Sequence, residues 1–163
     1  MIDLNQHTEK ARQKKAQHAK LASRLKKKKP KNLDGVVHDL HEKAFQHIDC
    51  LACANCCKSI SPIVTDKDIQ RIAKHLRMRP AQFVDAYLRL DEENDYVFRE
   101  QPCPFLGSDN YCSVYEVRPK ACREYPHTDR DKFHQILNLS VKNTLICPAV
   151  LEVFEGLEVV YDK

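Results

Sequence analysis

From Val36 to Ile48 apolar side chains recur at Val36, Val37, Leu40, Ala44, Phe45 and Ile48, the 3.6-residue period of a helix with one face on a core. That helix runs straight into Cys50, and Asp34 stands just before it as a candidate cap. A short extended connector follows at Ser59–Val64, containing Pro62. Thr65–Asp68 then reads as a capping box for a helix carrying Ile69, Ile72, Ala73 and Leu76, with Asp in place of the usual Glu. Pro80 marks the first turn of a second helix whose buried face is Phe83, Val84, Tyr87 and Leu88, so the pair predicts a helical hairpin.

Beyond it, Asp95–Arg99 and the residues around Cys112 read as short strands separated by the turn-rich Gly107–Asn110. Helical periodicity returns from Arg130 through Phe133, Ile136, Leu137 and Leu139. It returns again from Pro148 through Val150, Leu151, Val153 and Phe154, where Gly156 is expected to end or interrupt the helix. The fold class predicted is mostly α: a small, cysteine-rich, metal-stabilised domain with long ligand loops and at most a short β-hairpin.

The first 30 residues carry only a thin apolar stripe of Leu4, Ala11, Ala19, Ala22 and Leu25, ending at Lys26–Pro30. Residues 1–31 hold eleven Lys or Arg against Asp3 and Glu9, a balance of +9, and the remaining sixteen Lys or Arg face twenty-one acids, a balance of −5. The chain's formal charge of +4 therefore describes neither part. Such density leaves little apolar area to bury, so the expectation is a basic helical or partly disordered arm over 1–31 ahead of a cysteine-cluster domain over 32–163.

At 163 residues a second independent catalytic domain is not expected. The opening MIDLNQHTEKARQKK offers no apolar stretch for a secretory signal, and no segment approaches the roughly 20 apolar residues that cross a bilayer. A cytoplasmic location without membrane contact is expected. There, eight cysteines point to metal or iron-sulfur ligation ahead of disulfides. No GxGxxG or GxxxxGK[ST] sequence is present to suggest a nucleotide.

The run Cys50-x2-Cys53-x2-Cys56-Cys57 lets a curling backbone turn three thiolates inward, and the remote pairs Cys103-Pro104 and Cys147-Pro148 resemble the way ferredoxins complete a set. A zinc site more often draws two close pairs from separate loops. Adjacent side chains diverge, so Cys56 is expected to complete the run and Cys57 to reach a second site or pack beneath it. With Cys112 and Cys122 the metal set is Cys50, Cys53, Cys56, Cys57, Cys103, Cys112, Cys122 and Cys147. An iron-sulfur occupant, of 4Fe-4S type in one or two centres, and zinc both stay open on spacing alone. Arg118 and Arg123 are placed to balance thiolate charge, or alternatively to pair with Glu116 and Glu124.

Cys50-Leu-Ala-Cys-Ala-Asn-Cys-Cys57, Cys103-Pro-Phe-Leu106, Cys112-Ser-Val-Tyr-Glu-Val-Arg-Pro119, Cys122-Arg-Glu-Tyr-Pro126 and Cys147-Pro148, in that order, resemble the CxxCxxCC family of zinc- or iron-chelating domains, the YkgJ-like cysteine-cluster proteins. The resemblance implies metal or cluster binding by the eight cysteines, with Arg118, Pro119, Arg123, Tyr125 and Pro126 as surrounding motif. It extends to flagellin lysine methylases, although this chain shows no adenosylmethionine-binding domain. Whether it is an enzyme is left open. Tyr111, Tyr115, Tyr125, His127 and Asp129 are the polar side chains nearest the cysteine blocks, equally suited to filling space. A redox partner or protein substrate, and nucleic-acid contact by residues 10–31, are the expected partners. The spacing says nothing of oligomeric state.

Overall fold

The computed structural model describes residues 2–162. In chain order the helices are α1 (Leu4–Lys28), α2 (Leu33–Phe45), α3 (Cys50–Cys53), α4 (Asn55–Ser59), α5 (Asp66–His75), α6 (Pro80–Tyr87), α7 (Lys120–Glu124), α8 (Leu137–Asn143) and α9 (Pro148–Tyr161). Strands β1 (Leu88–Leu90) and β2 (Tyr96–Phe98) lie between α6 and α7, and 3-10 turns stand at Tyr115–Val117 and Phe133–Ile136. The mostly helical class and the single short hairpin agree with the sequence reading.

Two compact units divide the chain: Met1–Cys53 together with Pro126–Lys163, and Ala54–Tyr125. The divisions fall at 53/54 and 125/126. The first unit is thus assembled from two separate stretches of chain, and the second is continuous.

In the first unit, α1 packs on α8 and α9. Its N-cap is Asp3, whose Oδ1 accepts from the Asn5 and Gln6 amides at 2.9 and 3.1 Å. Its buried face is His7, Ala11, His18, Leu21, Ala22 and Leu25, so the stripe is broader than the apolar residues alone reveal. Two of its positions are histidines, and Ala19, expected on the stripe, is exposed. The charge density is offset in part by α9, since Lys10 and Lys14 meet Glu155 at 2.7 and 3.2 Å and Lys14 meets Glu158 at 3.1 Å.

Leu33 and Val37 of α2 join Leu21, Leu25, Phe133, Leu137, Val150, Phe154 and Leu157 in this unit's core. Gly156 does not end α9. It lies within the helix where Leu40 presses close, and a Cβ built there would stand 2.3 Å from Leu40 Cδ2. Asp34 does not cap α2 either; it sits in that helix's first turn, and its carboxylate accepts from the amides of Lys132 and Phe133 at 2.7 and 2.9 Å.

In the second unit, α5 and α6 form the expected hairpin over a core of Val64, Ile69, Ile72, Phe83, Leu88, Phe98, Phe105 and Val114. The Thr65 box is complete: its hydroxyl accepts from the Asp68 amide at 3.2 Å, and Asp68 Oδ2 accepts from the Thr65 amide at 2.9 Å. Leu88 leaves the helix and opens β1, which pairs antiparallel with β2 in the register Leu88 to Phe98 and Leu90 to Tyr96. The segment at Cys112 does not join that hairpin. It bridges Leu106 instead, closing the turn at 107–110 on itself.

Candidate metal centre

The cysteine run is two short helices and not one curl. Cys50 and Cys53 are the ends of α3, one turn apart and so on the same side of the helix. Ala54 then takes a left-handed conformation, φ 48°, and α4 begins with Asn55, carrying Cys56 and Cys57. A non-glycine residue in this region breaks a right-handed helix. The units also divide at Ala54, so the run supplies two cysteines to each.

In the second unit the remaining cysteines are tied to one another by backbone. The Cys103 amide donates to the Cys57 carbonyl at 2.8 Å, the Leu106 amide to the Cys103 carbonyl at 3.0 Å, and the Ser113 amide to the Phe105 carbonyl at 2.8 Å. Cys103 and Cys112 pack against the apolar cluster that contains Phe83, Phe98 and Phe105. Cys122 lies on α7, which starts at Lys120, after Pro119 has ended the preceding turn.

The position of α7 depends on two residues that the motif did not reveal. Asp68, 1% exposed, accepts from Arg71 Nη2 at 2.7 Å and from the Lys120 amide at 3.2 Å. Arg71 in turn donates to the carbonyls of Val117 and Arg118 at 3.3 and 2.8 Å. The backbone just ahead of Cys122 is therefore held by a helix whose sequence lies some way upstream. The Asp68 carboxyl is held below its ordinary range: burial opposes ionisation, but the Thr65 amide, Arg71 and the Lys120 amide outweigh it.

The thiols sense one another. Burial is the leading influence on three of them, driving Cys103 up to about 11 and Cys122 up to about 12 and raising Cys112 as well. Thiolate charge adds to the effect, Cys57 and Cys112 acting on Cys103, and Cys103, Cys57 and Cys112 acting on Cys122. Cys57 goes the other way, to about 7, chiefly through a hydrogen bond with Cys56 that outweighs burial, helped by Lys58. The charge of Arg118 lowers both Cys112 and Cys122. Its guanidinium also lies 3.9 Å from the centre of the Tyr115 ring and donates to the Tyr115 carbonyl at 2.7 Å. Arg123 is exposed on α7, and Glu124 pairs with Lys120 at 3.6 Å.

Cys147 sits immediately before α9 in the first unit, packed beside Ile48, Ala44 and Ala149. Burial raises it to about 12; the amides of Val150 and Ala149 oppose this, and Cys50 and Cys53 add to it. Cys50 and Cys53 thus act on Cys147, and Cys57, Cys103 and Cys112 act on Cys122, with Cys56 hydrogen-bonded to Cys57. No disulfide joins any of them. Among the described residues, no three His, Cys, Asp or Glu side chains converge on a point ready-made for a single ion.

The donor set nonetheless fits a soft metal. Several buried thiols that resist ionisation in one another's presence are neutral near pH 7 without a cation, and a bound metal stabilises their thiolates directly. Thiolates suit iron and zinc, whereas harder ions such as magnesium and calcium prefer oxygen ligands.

The five polar residues considered for chemistry are shared between the two units. Tyr111, Tyr115 and Tyr125 belong to the second unit, His127 and Asp129 to the first. Tyr111 and Tyr115 are exposed, and Asp129 is paired with His38 Nδ1 at 2.9 Å.

Thiol-lined groups of this kind, carried on short helices and loops within a small helical protein, define a cysteine-cluster metal-binding domain. The chain belongs to the CxxCxxCC family of zinc- or iron-chelating domains, which it matches over residues 49–142. It is also similar to an uncharacterized protein of Methanocaldococcus jannaschii, 32% identical over 84 residues. That match covers 48% of this chain and 44% of the relative, so the chain spans less than half the length of the protein it matches. No solved structure matches it. Among the described residues no helix is long and apolar enough to cross a membrane.

Proposed function

We propose that the protein is an iron-sulfur protein in which Cys57, Cys103, Cys112 and Cys122 hold a cluster of 4Fe-4S type. The observation that carries this reading is that these four cysteines share one unit, in which the Cys103 amide is bonded to the Cys57 carbonyl at 2.8 Å and Cys103 and Cys112 pack on one apolar cluster, with Arg118 as counter-charge. Four thiolates match the terminal ligand count of a cubane, one per iron. The wall of Phe83, Phe98 and Phe105 beside Cys103 and Cys112 supports iron over zinc. An apolar surround tunes a redox centre by excluding water, a service that a structural zinc ion does not need. When bound, such a cluster supplies one-electron transfer.

The residues have separate tasks in this reading. Cys57, with its thiol lowered to about 7, and the half-buried Cys103, Cys112 and Cys122 would hold the cluster as thiolates, their protons being given up when it binds. Arg118 offsets the negative ligand set. Asp68 and Arg71 hold the approach to Cys122. Cys50, Cys53 and Cys147 form a three-thiol group that serves a second centre.

Anaerobic purification with iron, zinc and acid-labile sulfide measured on one sample tests the reading, alongside Cys103→Ser and Cys147→Ser. Iron and sulfide in near-equal amounts are expected in the parent protein. Cys103→Ser is expected to lose the second unit's share, and Cys147→Ser to retain it. Zinc without sulfide would overturn the cluster, and full metal content in Cys103→Ser would overturn the assignment of ligands.

A further inference from the structure

The outward face of α1 carries cations that its packing does not use. Lys10 and Lys14 are engaged by Glu155 and Glu158, and Arg24 by Asp162. Among the described residues no carboxylate pairs with Arg12, Lys15, Lys20, the run Lys26–Lys29 or Lys31, and all of these are exposed. Lys26, Lys27 and Lys28 stand in the last turn, where they complement the helix dipole. Arg12, Lys15 and Lys20 lie well inside the helix, where that explanation does not reach.

The residues between them narrow the kind of partner. Gln13, Gln17 and Ser23 are exposed on the same helix, and its exposed apolar side chains are no larger than Ala16 and Ala19. Neither the bulky apolar face that enters a lipid surface nor the aromatic anchor of a protein interface is present. Lys, Arg, Gln and Ser are the side chains that contact phosphate oxygens. From Arg12 to Lys28 the helix rises about 24 Å, long enough to follow several successive phosphates. Because its opposite face is fixed on α8 and α9, the backbone that carries these cations is already ordered before any ligand binds.

We propose that the outward face of α1 binds the phosphate backbone of nucleic acid without reading base sequence. The site is independent of what the cysteines hold. The test is fluorescence anisotropy of the full, metal-loaded chain with labelled RNA and DNA duplexes of unrelated sequences, from about 50 to 200 mM salt. Affinity is expected to be similar across sequences and to fall steeply with salt.

Replacing Lys15, Lys20 and Lys27 together by Gln is expected to weaken binding at least about 10-fold at low salt and to reduce the log–log salt slope by about 2 to 3. The corresponding triple Arg variant is expected to bind like the parent. Circular dichroism and metal content of both variants report on the fold, which these exposed side chains do not support. Unchanged affinity and slope in the Gln variant would overturn the proposal. So would equal loss in the Arg variant, or binding to phosphatidylserine vesicles without binding to either duplex.

Discussion

Asp68 Oδ1 lies 2.7 Å from Arg71 Nη2, and this pair of a buried carboxylate and a half-buried guanidinium spans the joint between the capping box of α5 and the chain that leads to Cys122. The carboxylate ends a helix on one side and accepts the Lys120 amide on the other. The guanidinium reaches the carbonyls of Val117 and Arg118. A pair that the α5 sequence presents as an ordinary first-turn contact thus determines where a thiol stands.

Asp68→Asn is expected to destabilise the protein by about 2 to 3 kcal/mol, because the amide keeps the shape but leaves Arg71 without its counter-ion and weakens the cap. Bound metal should fall with it, since α7 is released at its start. Urea denaturation and metal-to-protein ratio on the same preparation check this. Stability within about 0.5 kcal/mol of the parent, with full metal, would show that the pair does not position α7.

Gly156→Ala sets two effects against each other. Alanine favours a helix over glycine by about 1 kcal/mol, but its Cβ would meet Leu40 at 2.3 Å. Overpacking costs about 1 to 3 kcal/mol, so a net loss is expected. Leu40→Ala made together with it should cost less than the two single changes added. Strict additivity in the double-mutant cycle would remove Leu40 as the cause.

Acid should weaken the first unit through His18, which is fully buried with its Nε2 2.8 Å from Glu158. Burial lowers its pKa from the ordinary 6.5, Lys14 acts in the same direction, and Glu158 and Glu155 oppose them. Because the folded pKa is depressed, the unfolded chain takes up the proton first as pH falls. Its contribution to stability is therefore complete above about 6.5 and is lost progressively below that value. His7, lowered chiefly by burial, adds in the same sense. His18→Gln should flatten the fall in urea midpoint between about pH 7 and pH 5.5 relative to the parent. Equal steepness in both proteins would count against His18 as the sensitive group.

Local chemistry was legible in the sequence. The Thr65 box, the Pro80 start and the apolar faces of α2, α5 and α6 each depend on residues within a turn or two, and the structure places them as read except for Leu88, which leaves α6 to open β1. The burial of α1 was not legible, because His7 and His18 occupy inward positions where an apolar count finds nothing. Arg71 was missed for a different reason: its carbonyl partners lie 46 and 47 residues away, beyond any spacing rule. Among the cysteines, the spacing of the run suggested one curl, whereas the left-handed Ala54 divides it. A signal did exist there, since a run that ends one helix and begins another needs such a break, but alanine is a poor marker for it.

The discontinuous first unit also has a consequence for the order in which the chain acquires structure during synthesis. Lys14 and Glu158 are 144 residues apart, so α1 waits for almost the whole chain before its partner on α9 exists. The second unit needs only Ala54–Tyr125, and Cys57, Cys103, Cys112 and Cys122 have all been made before Cys147. With domains folding as their residues emerge, that unit can close its core while α1 is still without α8 and α9. Cys57, Cys103, Cys112 and Cys122 can therefore be in place within a folded unit before Cys147 has joined α9 to the rest of the first unit.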